Sequence, residues 1–260
     1  MMYDLTIATI ATNKYLDFLI GNLEGLAEAR KGLGSTQVVV FTNKPSGMPR
    51  RYKNLDLEFV GIENFAWPEI TLLRYEILSR NAEAFMGSRI MWLDADMLIV
   101  KPLDLSKLVF ETDKVYLARH PGYLGGVPVV QQSIVERLAR LLTLTKNLVV
   151  GQIGQGTWEK RKSSRAYVPN FARRTYVHGA VWIGPAGPFI EMCRTLAERT
   201  RQDLEKGIIA LWHDESHLNW YLANFPDKCE LLPKHFSAWE AGLWYEPTES
   251  WVLSVDKSKW

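Results

Sequence analysis

Apolar and polar positions along this chain follow a rhythm that changes from segment to segment. Residues 5–11, rich in Ile, Thr and Ala, form a compact apolar run that reads as a buried strand. From about 14 to 30 the period lengthens, and Leu16, Leu19, Ile20, Leu23 and Leu26 fall on one side of a helix. Val38, Val39, Val40, Phe41 and Thr42 then make a second strand, and Gly32, Gly34, Pro45, Gly47 and Pro49 mark the loops around it. Strand, helix and strand in that order predict parallel pairing through a right-handed crossover. After a short extended segment over 57–60, a helical pattern covers 70–85. The run Ile90-Met91-Trp92-Leu93 follows and ends abruptly in Asp94-Ala95-Asp96, which predicts a central strand with carboxylates at its exit. Further strands are expected over 115–119 and 176–183, helices over 133–144, 188–206 and 214–222, and a Gly-rich loop over 151–156. This is an α/β layout, whose ligand site belongs at the carboxyl ends of the parallel strands.

Composition narrows the functional classes. At 260 residues the chain can bury one sizeable core and reads as a single domain over 1–260. Apolar residues make up 47%, and the net charge is only +2 with both signs interspersed, which argues against a nucleic-acid partner. The cluster Lys160, Arg161, Lys162 and Arg165 reads as a solvated loop, with binding of an anionic partner such as a diphosphate or acidic glycan the lesser alternative. No stretch is long enough for a transmembrane segment, and the start at Met1 lacks a secretion-signal pattern, so a soluble cytoplasmic protein is expected. Cys193 and Cys229 are too few for a disulfide framework and are expected as free thiols. Ten Trp and ten Tyr suit sugar binding, though such rings also fill ordinary cores.

Three constellations could carry chemistry. Asp94 and Asp96 could hold a hard divalent cation that keeps its other positions for water and phosphate oxygens. An isolated Asp-x-Asp is more often a solvated turn, but the apolar flanks Trp92-Leu93 and Met97 to Val100 oppose that reading. The segment Trp212-His213-Asp214-Glu215-Ser216-His217 places four ionisable groups at a helix start; His213 and His217, four apart, could instead form a zinc pair. His120-Pro121-Gly122-Tyr123 follows a predicted strand and could present an imidazole and an aromatic ring to a sugar, or be a plain Pro-Gly turn.

Together these residues resemble glycosyltransferase family six, the retaining α-1,3-galactosyl and N-acetylgalactosaminyl transferases that include the ABO blood-group enzymes. Trp212 to Asn219 with Tyr221-Leu222 is similar to the family's W-H-D-E-S-H-L-N-x-Y-L block, and His120 to Tyr123 to its H-P-G-F/Y loop. Thr157 to Arg161 through Ala166 to Pro169 resembles T-Y-E-R-R…A-Y-I-P, and Ile10 to Tyr15 resembles F-A-I-K-K-Y.

The resemblance implies a GT-A fold, with a Rossmann-like nucleotide-binding half (about 1–100) and an acceptor half (about 101–260) around one mixed sheet. It implies that Asp94 and Asp96 bind Mn²⁺ or another divalent cation, and that Ile10, Ala11, Thr12, Tyr15, Arg74, Asp94, Ala95 and Asp214 contact a UDP-sugar. His178, Gly179 and Ala180 fall where donor choice is set, and the His favours UDP-galactose over UDP-N-acetylgalactosamine. Glu215 is the implied nucleophile or oxocarbenium stabiliser. His120, Tyr123, Trp212 and Glu240 are the implied binders of a carbohydrate acceptor with a terminal galactoside, and Lys257 or Lys259 would close over the diphosphate. The animal members carry a membrane anchor and stem that have no counterpart in this sequence, which therefore resembles a bacterial or phage-type member. Two readings from other classes stand beside this one: a zinc metallohydrolase using His213 and His217, and a non-catalytic sugar-binding module.

Overall fold

The first apolar run forms β1 (Tyr3–Ile10), the helical pattern after it α1 (Tyr15–Ala29), and the valine run β2 (Thr36–Thr42). β1 and β2 pair in parallel, as strand, helix and strand in sequence require. The computed structural model describes residues 2–29, 33–102, 111–123, 156–234, 236–239 and 250–255. The helix expected over 133–144, the loop over 151–155, Glu240, Lys257 and Lys259 lie outside the described residues.

β3 (Arg51–Tyr52) and β4 (Leu55–Gly61) extend the sheet beyond β2, while β5 (Gly87–Leu93) flanks β1 on its other side. The remaining strands of this sheet are β7 (Val115–Arg119), β8 (Val177–Pro185) and β9 (Cys229–Leu231). The eight-stranded order is β3-β4-β2-β1-β5-β8-β7-β9. Strands β4, β2, β1 and β5 are parallel, β8 runs antiparallel to both β5 and β7, and β9 is parallel to β7. The sheet is therefore mixed, as in a GT-A-type layout. The chain leaves β1 toward β2 and β4 and returns across it to β5. The crevice of an open α/β sheet forms at such a reversal, here at the carboxyl ends of β1 and β5.

Alternation along the strands divides the core between two faces. Leu5 and Ile7 of β1, with Met91 and Leu93 of β5, pack under Leu19, Leu23 and Leu26 of α1. Ala8, Ile90 and Trp92 point the other way, toward α3 (Arg74–Arg80), α4 (Ala186–Leu204) and α5 (His213–Asn224). There Trp182 stacks between Trp92, with ring centres 6.0 Å apart, and Phe189 at 4.5 Å. A small second sheet, β10 (Ser237–Trp239), β11 (Val252–Ser254) and β6 (Met97–Ile99), lies on the α1 side. Gly25 of α1 permits this, because a Cβ there would stand 2.6 Å from the Ile99 carbonyl oxygen.

The helix expected over 70–85 is interrupted. It forms α2 (Glu69–Leu72), α3 and a 3₁₀ turn at Ala82–Ala84. The Thr71 hydroxyl donates to the Pro68 carbonyl at 2.7 Å, and Leu73 separates α2 from α3 at φ −82°, ψ −3°. Hydroxyl competition of this kind weakens a helix locally. The break turns Arg74 inward instead of leaving it on a helix surface, and only 7% of it is exposed.

Candidate functional site

The turn joining β5 to β6 carries Asp94, Ala95 and Asp96, and buried Asn22 of α1 fixes it. The Asn22 amide donates to the Ala95 carbonyl at 2.5 Å and to that of Asp94 at 3.4 Å. A cavity of about 440 Å³ opens here, lined by Ile10, Thr12, Tyr15, Arg74, Asp94, Ala95 and Asp96. Seven residues expected to serve one ligand thus meet at one cavity. Ala11 is buried and does not line it. Phe65, Trp67 and Thr71 form the facing wall, and Trp67 is 72% exposed, edge-on to His213 with ring centres 5.0 Å apart.

Arg74 is the electrostatic centre. Its Nη2 lies 2.8 Å from Asp94 Oδ1, its Nη1 donates to Asp214 Oδ2 at 2.6 Å and to the Gly179 carbonyl at 2.8 Å, and its guanidinium carbon sits 4.5 Å from the centre of the Trp92 ring. The Trp92 indole N–H donates to Asp94 Oδ1 at 2.9 Å. Two carboxylates from distant segments of the chain are thus tied to one buried cation. Such a pair is costly to leave half-formed, because removing one partner strands a charge in low dielectric. Burial nevertheless pushes the Asp94 carboxyl up to about 7, against the opposing pull of Arg74, and raises Asp214 for the same reason.

Glu215 sits one residue further into α5, and Asn219 fastens that helix to β8. The Asn219 amide donates to the carbonyls of Val177 (2.7 Å) and Glu215 (2.9 Å), while its oxygen accepts from Val177 N at 2.9 Å. This double clamp brings the Gly179 amide to 3.1 Å from Glu215 Oε2. A Cβ at 179 would stand 2.9 Å from Asp214 Oδ2 and 3.3 Å from Arg74 Nη1, so a larger residue there would have to displace that ion pair. Burial lifts the Glu215 carboxyl to about 7, countered by hydrogen bonding from Tyr176 and Gly179.

Behind this centre, buried Glu159 accepts from the Arg161 backbone at 2.8 Å, from its guanidinium, and from Leu211 N at 2.8 Å. Arg161 Nη2 donates to the Ile209 carbonyl at 2.5 Å. These bonds hold the turn that leads into α5. Lys160, Lys162 and Arg165 are exposed, as a solvated loop requires.

On the other side of Asp94 and Asp96, a 110 Å³ cavity is lined by both aspartates with His178, Ala180 and Pro121. His178 Nε2 lies 2.6 Å from the Ser237 hydroxyl, and burial holds its imidazole down at about 3. The His120 ring stands 6.1 Å from that of His178 and 4.7 Å from that of Tyr123. His120 Nδ1 accepts from Gly122 N at 3.1 Å, and burial lowers the ring to about 4; the neutral imidazole therefore carries its proton on Nε2. His120, Tyr123 and Tyr176 line a third cavity, of 300 Å³. Trp212 stands 51% exposed at the start of α5 and lines none of these three.

The alternative zinc pair does not converge. His217 is fully buried with Nε2 3.7 Å from Asp203 Oδ2, whereas His213 packs on Trp67. Among the described residues no group of three or more His, Cys, Asp and Glu could hold a metal ion. Two carboxylates beside a wide cavity, in contrast, are the donor set of a hard cation that completes its shell with water and phosphate oxygens. Asp94 and Asp96 fit that group and do not fit a closed zinc site.

Residues 131–243 match the sequence model of Glycosyltransferase family 6. The rat histo-blood group ABO system transferase 1 is 26% identical over 242 residues, 91% of this chain and 61% of that protein. In both comparisons the chain is similar to glycosyltransferase family 6. Its similarity to other named transferases is of the same order. The Escherichia coli O-antigen biosynthesis glycosyltransferase WbnI is 26% identical over 170 residues, 65% of this chain and 61% of that protein. The human globoside alpha-1,3-N-acetylgalactosaminyltransferase 1 is 25% identical over 230 residues, 85% of this chain and 58% of that protein. The chain thus spans about three fifths of the length of these relatives. Among its described residues no helix is long and apolar enough to cross a membrane.

Proposed function

We propose that this chain is a hexosyltransferase that moves galactose or N-acetylgalactosamine from a UDP-sugar to a galactoside-type acceptor. The anomeric configuration is retained and an α-1,3 linkage is formed. The observation that carries this reading is the juxtaposition of three features: a cavity of nucleotide size, a carboxylate pair at its inner end, and Glu215 linked to that pair through Arg74, Asp214 and Gly179.

In this reading Ile10, Thr12 and Tyr15 hold the uridine, and Asp94 and Asp96 hold Mn²⁺ or another divalent cation. Such a cation, when bound, supplies Lewis-acid stabilisation of the departing diphosphate. Arg74 keeps Asp94 and Asp214 in register, so that Asp214 can accept from a donor-sugar hydroxyl. As the bond from the anomeric carbon to UDP breaks, its electron pair leaves with UDP, and the Glu215 carboxylate offsets the positive charge left on the sugar. Retention then follows from two inversions through a glycosyl-Glu215 ester or from same-face attack within an ion pair. Both routes need Glu215 ionised. His120, Tyr123 and Trp212 face the acceptor. His178 favours UDP-galactose, because its buried imidazole narrows the space beside the aspartates.

The test is UDP release from UDP-galactose, UDP-N-acetylgalactosamine, UDP-glucose and UDP-N-acetylglucosamine, with and without Mn²⁺ and methyl β-galactoside. Expected is Mn²⁺-dependent release from the galactose-type donors, stimulated by the acceptor and lowered roughly 10²-fold or more by Asp94→Asn. A sugar-binding module without activity would release no UDP, and that outcome would end the transferase reading.

A further inference from the structure

The third cavity carries a charge pattern that sugar transfer does not use. Besides His120, Tyr123 and Tyr176, it is lined by Arg119, Arg174 and Lys234. No acidic side chain lines it among the described residues.

The sheet explains the convergence. Arg119 ends β7 and pairs in register with Val177 at the start of antiparallel β8, so Arg174 lies just before that start. β9 runs parallel to β7 on its other side, and Lys234 follows its end. Three adjacent strands thus deliver three cations to one edge. Arg119 Nη1 donates to the Leu232 carbonyl at 3.0 Å, which ties two of these segments together, and Arg174 and Lys234 are both exposed. Glu230 shares only the neighbouring cavity with Arg174, so three positive charges repel one another around a space that, among the described residues, no acidic side chain lines, and an anion there relieves that repulsion.

The cavity also lies next to the reaction centre. Tyr176 lines it and bonds Glu215, and the Tyr123, His120 and His178 rings lead from it to Asp94 and Asp96. We propose that Arg119, Arg174 and Lys234 hold a phosphate or diphosphate group on the acceptor, beside the sugar that receives the new linkage. This rests on the transferase reading and specifies its acceptor class. More than one negative charge is required, because three cations face a cavity of 300 Å³.

The experiment compares three acceptors with the full chain: methyl β-galactoside, the same galactoside with a phosphate on its aglycone, and one with a carboxylate there. Expected is a KM about tenfold lower for the phosphorylated acceptor than for the methyl galactoside, shrinking as salt is raised. Arg174→Gln with Lys234→Gln should abolish that advantage. The KM for methyl β-galactoside and the acceptor-free release of UDP should stay unchanged. Equal KM values for neutral and phosphorylated acceptors, or a variant that weakens both alike, would overturn the proposal. An equal gain from the carboxylate would overturn its assignment to phosphate. If no donor releases UDP, the transferase reading fails separately. Calorimetry with inorganic diphosphate then decides the anion site, which requires heat of binding in the wild type that the double variant loses.

Discussion

Glu215→Gln is expected to lower sugar transfer by about 10³-fold or more while leaving UDP binding and the fold intact. The substitution preserves size and the acceptor for the Gly179 amide, and removes only the charge. If Glu215 merely supported α5, the amide would serve as well and the rate would survive. A pH profile gives an independent sign. Because burial holds this carboxyl up at about 7, it is protonated below that pH and ionised above it. Wild-type kcat/KM for donor cleavage should therefore climb as pH rises toward 7 and level off beyond it. A rate that fell with rising pH across this range would contradict an ionised Glu215.

The second large effect concerns stability. Arg74→Met should destabilise the ligand-free protein by about 3 kcal/mol, because buried Asp214 and part-buried Asp94 lose their shared cation. For a chain of this size that corresponds to a fall in Tm of roughly 10 °C. The sign with pH follows from the carboxylates. Without the guanidinium both carboxyls rise further, so at pH 5 they are protonated and shed the stranded charge, whereas keeping them protonated costs more as the pH rises to 8. The loss measured by thermal melting should be larger at pH 8 than at pH 5. Equal losses at both pH values would mean that Arg74 contributes packing alone.

How far the chain announces this arrangement depends on the range of the interactions. β1, α1, β2 and β5 are visible in the apolar rhythm because each buries a face along most of its length, and the carboxylates after Leu93 mark the crevice between them. The break at Leu73 is invisible to periodicity, since it turns on one hydroxyl bonding one carbonyl. β6, β9, β10 and β11 span three residues each, too few to show an alternation. The Asp-x-Asp after Leu93 and the family blocks around Ile10, His120 and Trp212 supplied the candidates, but the bonds that position them join distant segments. Asn22 reaches the Asp94 turn from α1, Glu159 holds Leu211 across 52 positions, and Arg74 reaches Asp214 across 140. Asn22 carries no local signal beyond being polar among apolar neighbours, and Glu159, although it falls in the block that resembles T-Y-E-R-R, carries none that points to Leu211. Trp67 had a better one, a tryptophan just before Pro68 ahead of the Arg74 segment, yet its partner His213 is supplied only by the fold.

The transferase reading places donor, cation and Glu215 in one cleft, and a crystal structure of the full chain with UDP and Mn²⁺ examines that most directly. Expected is uridine in the 440 Å³ cavity beside Thr12 and Tyr15, the ion on both Asp94 and Asp96, and Glu215 facing the space beyond the β-phosphate. UDP bound elsewhere, or the two aspartates turned away from the ion, would contradict it.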